Sequence, residues 1–217
     1  MRNKQLIYRI LIYILGLLIL AFGVTFSIRS DLGASPVTAF PFIISLIFGI
    51  DMGVCVTAVF SSYILIQIII LRKEFRWIDL SQIVFSSIFG YFVDFAESVL
   101  GNFKMTGYVG QLCMIGISVV LIACGVVMYM EARLVNMPAE GLISAIAYKM
   151  PKIAFHNVKV ALDCTFVILS IALSFMFLDG LHGIREGTII CAVFIGKLLP
   201  VIKKIITPVI CYIGLGV

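Results

Sequence analysis

Eight apolar segments follow one another along the chain, at 6–28, 36–50, 52–71, 77–100, 108–130, 138–150, 158–178 and 187–202. Six of them are long enough to cross the ~30 Å hydrocarbon core of a bilayer as helices. The segments at 36–50 and 138–150 are not, at fifteen and thirteen residues. With 62% hydrophobic and 12% charged residues over 217 positions, and a mean hydropathy of +1.19, a soluble fold is excluded. An all-α polytopic membrane protein is expected. The 6–28 run is too long for a signal-peptide core and lacks a small-residue cleavage site, so it reads as the first crossing. A stretch at 205–217 reads as a short apolar tail, too short to cross, lying at the interface or against the bundle.

The two short segments share a form. After the first crossing come Arg29, Asp31, Gly33 and Ser35, and then Pro36 opens a helix in which Pro41 should introduce a kink. Ser35 is placed to cap it. Gly23-Val24, Leu32 and Pro36 recur 102 residues later as Gly125-Val126, Leu134 and Pro138. Helix breaks at membrane depth persist only where protein or a water-filled cavity satisfies the freed backbone. The two breaks are therefore the expected functional centre.

Charge sets the expected topology. If the short segments re-enter and six segments cross, twelve Lys and Arg lie inside and three, Arg29, Lys104 and Arg185, lie outside. If all eight cross, the split falls to nine and six. Positive charge favours the cytoplasmic side, so six crossings and a cytoplasmic N-terminus are expected. Three crossings per half make the halves run in opposite directions. The expected plan is one membrane domain over 1–217, built of two inverted repeats at 6–100 and 108–204. Each repeat has three crossings and one short, broken or re-entrant helix.

The stretch RSDLGASPVTAFPF at 29–42 resembles the YczE/YyaS/YitT family of bacterial membrane proteins, most specifically at Asp31-Leu32-Gly33-Ala34-Ser35-Pro36. IREGTI at 184–189 and Gly196-Lys197 are also similar to that family. The resemblance covers nearly the whole chain. It implies a multi-pass protein of the bacterial plasma membrane and no settled activity.

Polar groups in apolar surroundings are the candidate site residues. Arg29, Asp31, Gly33, Ser35 and Thr38 in the first break, and Asn136 and Glu140 in the second, are expected to bind substrate. Asp94, Asp163 and Lys197 are expected as coupling or buried charges. Against this stand ordinary roles: caps for Ser35 and Glu140, loop positions for Arg133 and Asn136, and a helical i,i+4 pair for Lys159 and Asp163. No nucleotide loop, zinc motif or nucleophile elbow is present, so an enzyme is not expected. The six cysteines are scattered, and His156 and His182 stand alone. No metal and no cofactor are therefore expected. The leading expectation is a secondary transporter or permease for a small anionic or zwitterionic solute. The rivals are an accessory or scaffold protein and a lipid-acting protein. Expected partners are the solute and membrane lipids, without nucleic acid. A homodimer is left open.

Overall fold

The computed structural model describes residues 2–153 and 155–212, without the side chains of 2–4, 155, 156, 209, 211 and 212. Residues 213–217 of the expected tail, and the side chain of His156, lie outside what is described. The described chain is all-helical. Its helices are α1 (Arg2–Arg29), α2 (Pro36–Phe48), α3 (Met52–Leu71), α4 (Ser81–Leu100), α5 (Gly107–Glu131), α6 (Pro138–Lys149), α7 (Phe155–Phe177) and α8 (Glu186–Tyr212). Two 3-10 turns join α3 to α4. α1, α3, α4, α5 and α7 are long and apolar enough to cross a membrane. α8 is long enough, at 27 residues, but carries Lys197, Lys203 and Lys204.

The last helix departs from expectation. It does not stop at the lysine pair but runs through Pro200 and Pro208 to Tyr212, so the described part of the tail continues the helix. Lysine is a good helix former, so the pair does not end the helix; the Lys203 ammonium pairs with Glu131 at 3.0 Å. α2 runs as one helix through Pro41. It ends at Gly49, which takes the left-handed conformation (φ 63°) that glycine tolerates best.

α1 and α5 form the centre. Gly16 lies against Tyr129, and Gly23 lies against Ile122, whose backbone N would be 2.8 Å from an added Cβ. The helices are therefore antiparallel and nearly touch. Small residues permit that approach where lipid offers no hydrophobic drive for association. The Ser118 hydroxyl donates across the seam to the Gly23 carbonyl at 2.7 Å. The contacts are reciprocal at an offset of 102: Gly23 meets Ile122, and Leu20 meets Gly125.

The same exchange runs outward. α1 packs on α4 as α5 packs on α8, and α2 packs on α7 as α6 packs on α3. Arg29 pairs with Glu97 at 3.4 Å between α1 and α4. Glu131 pairs with Lys203 between α5 and α8, with the signs reversed. The two breaks share one backbone course, with Asp31 (φ 58°) and Arg133 (φ 50°) both left-handed two residues past their helices. One pair breaks the pattern. α3 and α4 close tightly, Gly53 on Gly90, whereas α7 and α8 make no comparable contact among the described residues.

Candidate functional site

The two short helices begin at one cavity. Its volume is about 180 Å³. Ser35, Pro36 and Thr38 line it from the first break, and Met137, Ala139 and Glu140 from the second. Leu20, Val24, Ile122 and Val126 of the central seam form its floor, and Lys159 and Asp163 of α7 stand on its wall. Pro36 and Pro138 open their helices without an N–H. Of the N–H groups that follow, that of Thr38 reaches the Ser35 carbonyl at 3.0 Å; the earlier ones of each first turn have no carbonyl a turn back to bond.

Local chemistry explains how each break is tolerated. Ser27 donates its hydroxyl to the Gly33 carbonyl at 2.8 Å. The Ala34 N–H reaches the Gly183 carbonyl, and the Leu32 carbonyl accepts the Gly187 N–H, each at 2.8 Å. Backbone groups freed by the break are thus taken up by α1, by the loop before α8 and by the first turn of α8. In the second break, Gln67 of α3 donates to the Pro138 carbonyl at 3.0 Å and pairs with Gln82 of α4. Tyr13 of α1 sits against Met137, and the Tyr129 hydroxyl faces the Glu140 carboxyl.

The candidates separate into groups. Ser35, Thr38, Glu140 and Asp163 meet at the cavity. Ser35 occupies the N-cap position without capping; its hydroxyl pairs with that of Thr38 at 2.7 Å. Asp163 is paired with Lys159 at 3.3 Å. Arg29 and Asp31 lie outside the cavity lining. Arg29 is held by Glu97. Asp31 is held by Lys104 at 2.8 Å, while its carbonyl accepts from Arg185. Gly33 is pressed on α8, where an added Cβ would lie 2.5 Å from the Thr188 hydroxyl. Asn136 and Lys197 are exposed and do not line the cavity. Asp94 is elsewhere again, in a groove between α3 and α4, accepting the Gly53 N–H at 2.7 Å.

Sequence reasoning passed over four groups. Lys159 was read only as a helical partner, and Tyr129, Gln67 and Gln82 were not singled out. The two glutamines carried a usable signal, since an amide inside an apolar span needs a partner. The tyrosines carried none, because tyrosine is common at membrane interfaces. Among the described residues no group of His, Cys, Asp and Glu is arranged to hold a metal.

Comparison with known proteins fits this architecture. The chain is 29% identical over 148 residues to the uncharacterized membrane protein YczE of Bacillus subtilis (strain 168), spanning 68% of this chain and 66% of that protein. The chain thus spans just under two thirds of the length of that curated relative. No solved structure matches it. The model of DUF6198, a family of unknown function, matches residues 7–204. This multi-pass, all-helical membrane protein belongs to the DUF6198 family.

Proposed function

We propose that the protein is a secondary transporter or permease that carries a small zwitterionic solute across the bacterial plasma membrane, with its N-terminus in the cytoplasm. One observation carries this reading: two proline-started short helices, from different halves of the chain, begin at a single cavity. Broken helices meeting at a central site are the recurring plan of secondary transporters.

Several features support the inverted repeat and the re-entry of α2 and α6. α1 and α5 are antiparallel, and their contacts exchange at the 102-residue offset. Arg29, Asp31, Glu97, Lys104 and Arg185 gather at one end of the bundle. The pair of Glu74 with Lys149 and the pair of Glu131 with Lys203 lie at the segment ends expected on the other side. If α2 and α6 crossed fully, the partners in the pairs Asp31 with Lys104, Glu74 with Lys149, and Glu131 with Lys203 would sit on opposite faces of the membrane.

The charge of the solute follows from the walls. First-turn N–H groups favour an anionic group. Glu140 and Asp163 on the same cavity disfavour a purely anionic solute and favour a positive group beside it. A zwitterion satisfies both. The test is uptake into proteoliposomes of solutes first selected by thermal stabilisation of the purified protein. Thr38→Val and Glu140→Gln should lower uptake at least about tenfold, the factor expected for one lost charge-assisted hydrogen bond. Asp31→Asn should leave uptake near the parent level. Full uptake by both cavity variants, with melting temperatures unchanged, would remove the cavity from the transport path.

A further inference from the structure

We infer that the zwitterionic solute of this cavity is an amphiphile whose head carries a primary ammonium, and that it enters between α7 and α8 from the bilayer. The inference rests on reading the cavity as a solute site and names what fits there.

The head follows from unmet acceptors. Glu140 Oε2 and Asp163 Oδ1 are buried without a hydrogen-bond partner among the described residues. Buried carboxylate oxygens without donors are strongly disfavoured. Among the described residues Lys159 is the one cation lining the cavity, and its ammonium is engaged with the other Asp163 oxygen at 3.3 Å. A primary ammonium brings three donors and a compensating charge. A carboxylate head would bring a further negative charge and no donor.

The body follows from the remaining walls. Leu20, Val24, Ile122, Val126, Ile195 and Leu199 are apolar. At about 180 Å³ the cavity modestly exceeds the roughly 150 Å³ apolar cavity that accepts benzene in an engineered protein. It holds a head and a few carbons. A longer chain must extend outside.

The route follows from the broken symmetry. In the first half α3 and α4 are sealed, Gly53 on Gly90. In the second half α7 and α8 stand apart. Ala192 and Gly196 line the cavity and are nevertheless exposed. A Cβ on Gly196 would meet nothing within 4 Å. Both residues lie inside α8, well away from its first turn, so the gap opens at hydrocarbon depth rather than at a headgroup face. A tail can remain in lipid there while the head reaches Glu140 and Asp163.

The test uses the full chain in nanodiscs of phosphatidylcholine, which has no primary amine. Thermal unfolding is followed with decylamine, decanoate, decanol or ethanolamine added. Decylamine should raise the midpoint more than the other three, through mass action on the folded state. Glu140→Gln and Asp163→Asn should each weaken its apparent affinity about tenfold, and Asp31→Asn should not. Equal stabilisation by decanol would mean partition without head recognition. Equal stabilisation by ethanolamine would mean a water-borne head without lateral entry. Either result, stabilisation by decanoate, or no stabilisation at all would overturn the inference. The ligand series on the unmodified chain decides the matter even where a variant folds poorly. Decylamine binding without uptake of any solute would sink the transporter reading and leave this one standing. Uptake of other solutes without amine binding would do the reverse.

Discussion

Asp31 and Asp94 are both acids near the end of a helix, and their surroundings give them different weights. The Asp31 carboxylate is 49% exposed and pairs with a Lys104 side chain that is 51% exposed. Solvent-exposed pairs of this kind contribute little, so Asp31→Ala should change stability by less than about 1 kcal/mol. Asp94 accepts the Gly53 N–H at 2.7 Å at the start of α3, acting as a cap supplied from α4. Asp94→Ala should cost about 1–2 kcal/mol, as for a lost cap. Chemical unfolding of both variants in detergent compares them directly, and an equal loss would contradict the capping role. Gly33 belongs to the same scale. Its φ of 114° and its packing on Thr188 leave no room for a side chain. Asp31 and Gly33 were visible in the sequence as a polar, glycine-containing break. That Asp31 pairs with Lys104, 73 residues away, is a long-range contact that no local pattern encodes.

At the scale of the element, the breaks were legible and the seams were not. Proline at the first helical position, preceded by extended residues, marks the starts of α2 and α6 through fixed φ and a missing N–H. The tight faces depend on which glycine meets which backbone. An added Cβ on Gly53 would lie 2.1 Å from the Gly90 carbonyl, whereas one on Gly116 of α5 meets nothing within 4 Å. Gly53→Ala should therefore force α3 and α4 apart and destabilise by about 1–3 kcal/mol, the range for overpacking. Gly116→Ala should be neutral or stabilise by up to about 1 kcal/mol through helix propensity. Melting temperatures of the two variants in one detergent check this pair, and similar values for both would mean that the α3–α4 seam yields. The length of α8 was misjudged for a related reason. Lys203-Lys204 marks the end of the apolar run, but lysine is a good helix former and the helix continues to Tyr212.

For the whole molecule, the measurable quantity is which face of the membrane each connection occupies. Single cysteines at Lys73 and Lys152 should be shielded from an impermeant thiol reagent in intact cells, and one at Lys104 should be labelled. Labelling at position 73 from outside would favour eight crossings over the proposed six and remove the proposed inverted repeat. Hydropathy alone determined that this chain is a multi-pass helical membrane protein with two short helices, because the length of an apolar run is a property of a local segment. The resemblance at 29–42 pointed to the family for the same reason, being carried by contiguous residues. Only the tertiary structure decided which polar groups share a space. Ser35 before α2, Thr38 of α2, Glu140 of α6, and Lys159 and Asp163 of α7 come from separate parts of the chain, and Arg29 and Asp31 turn away from them into pairs with Glu97 and Lys104. The physical reason is that a cavity is made by packing helices distant in sequence, and packing depends on side-chain shape across a seam rather than on the order of residues along one helix.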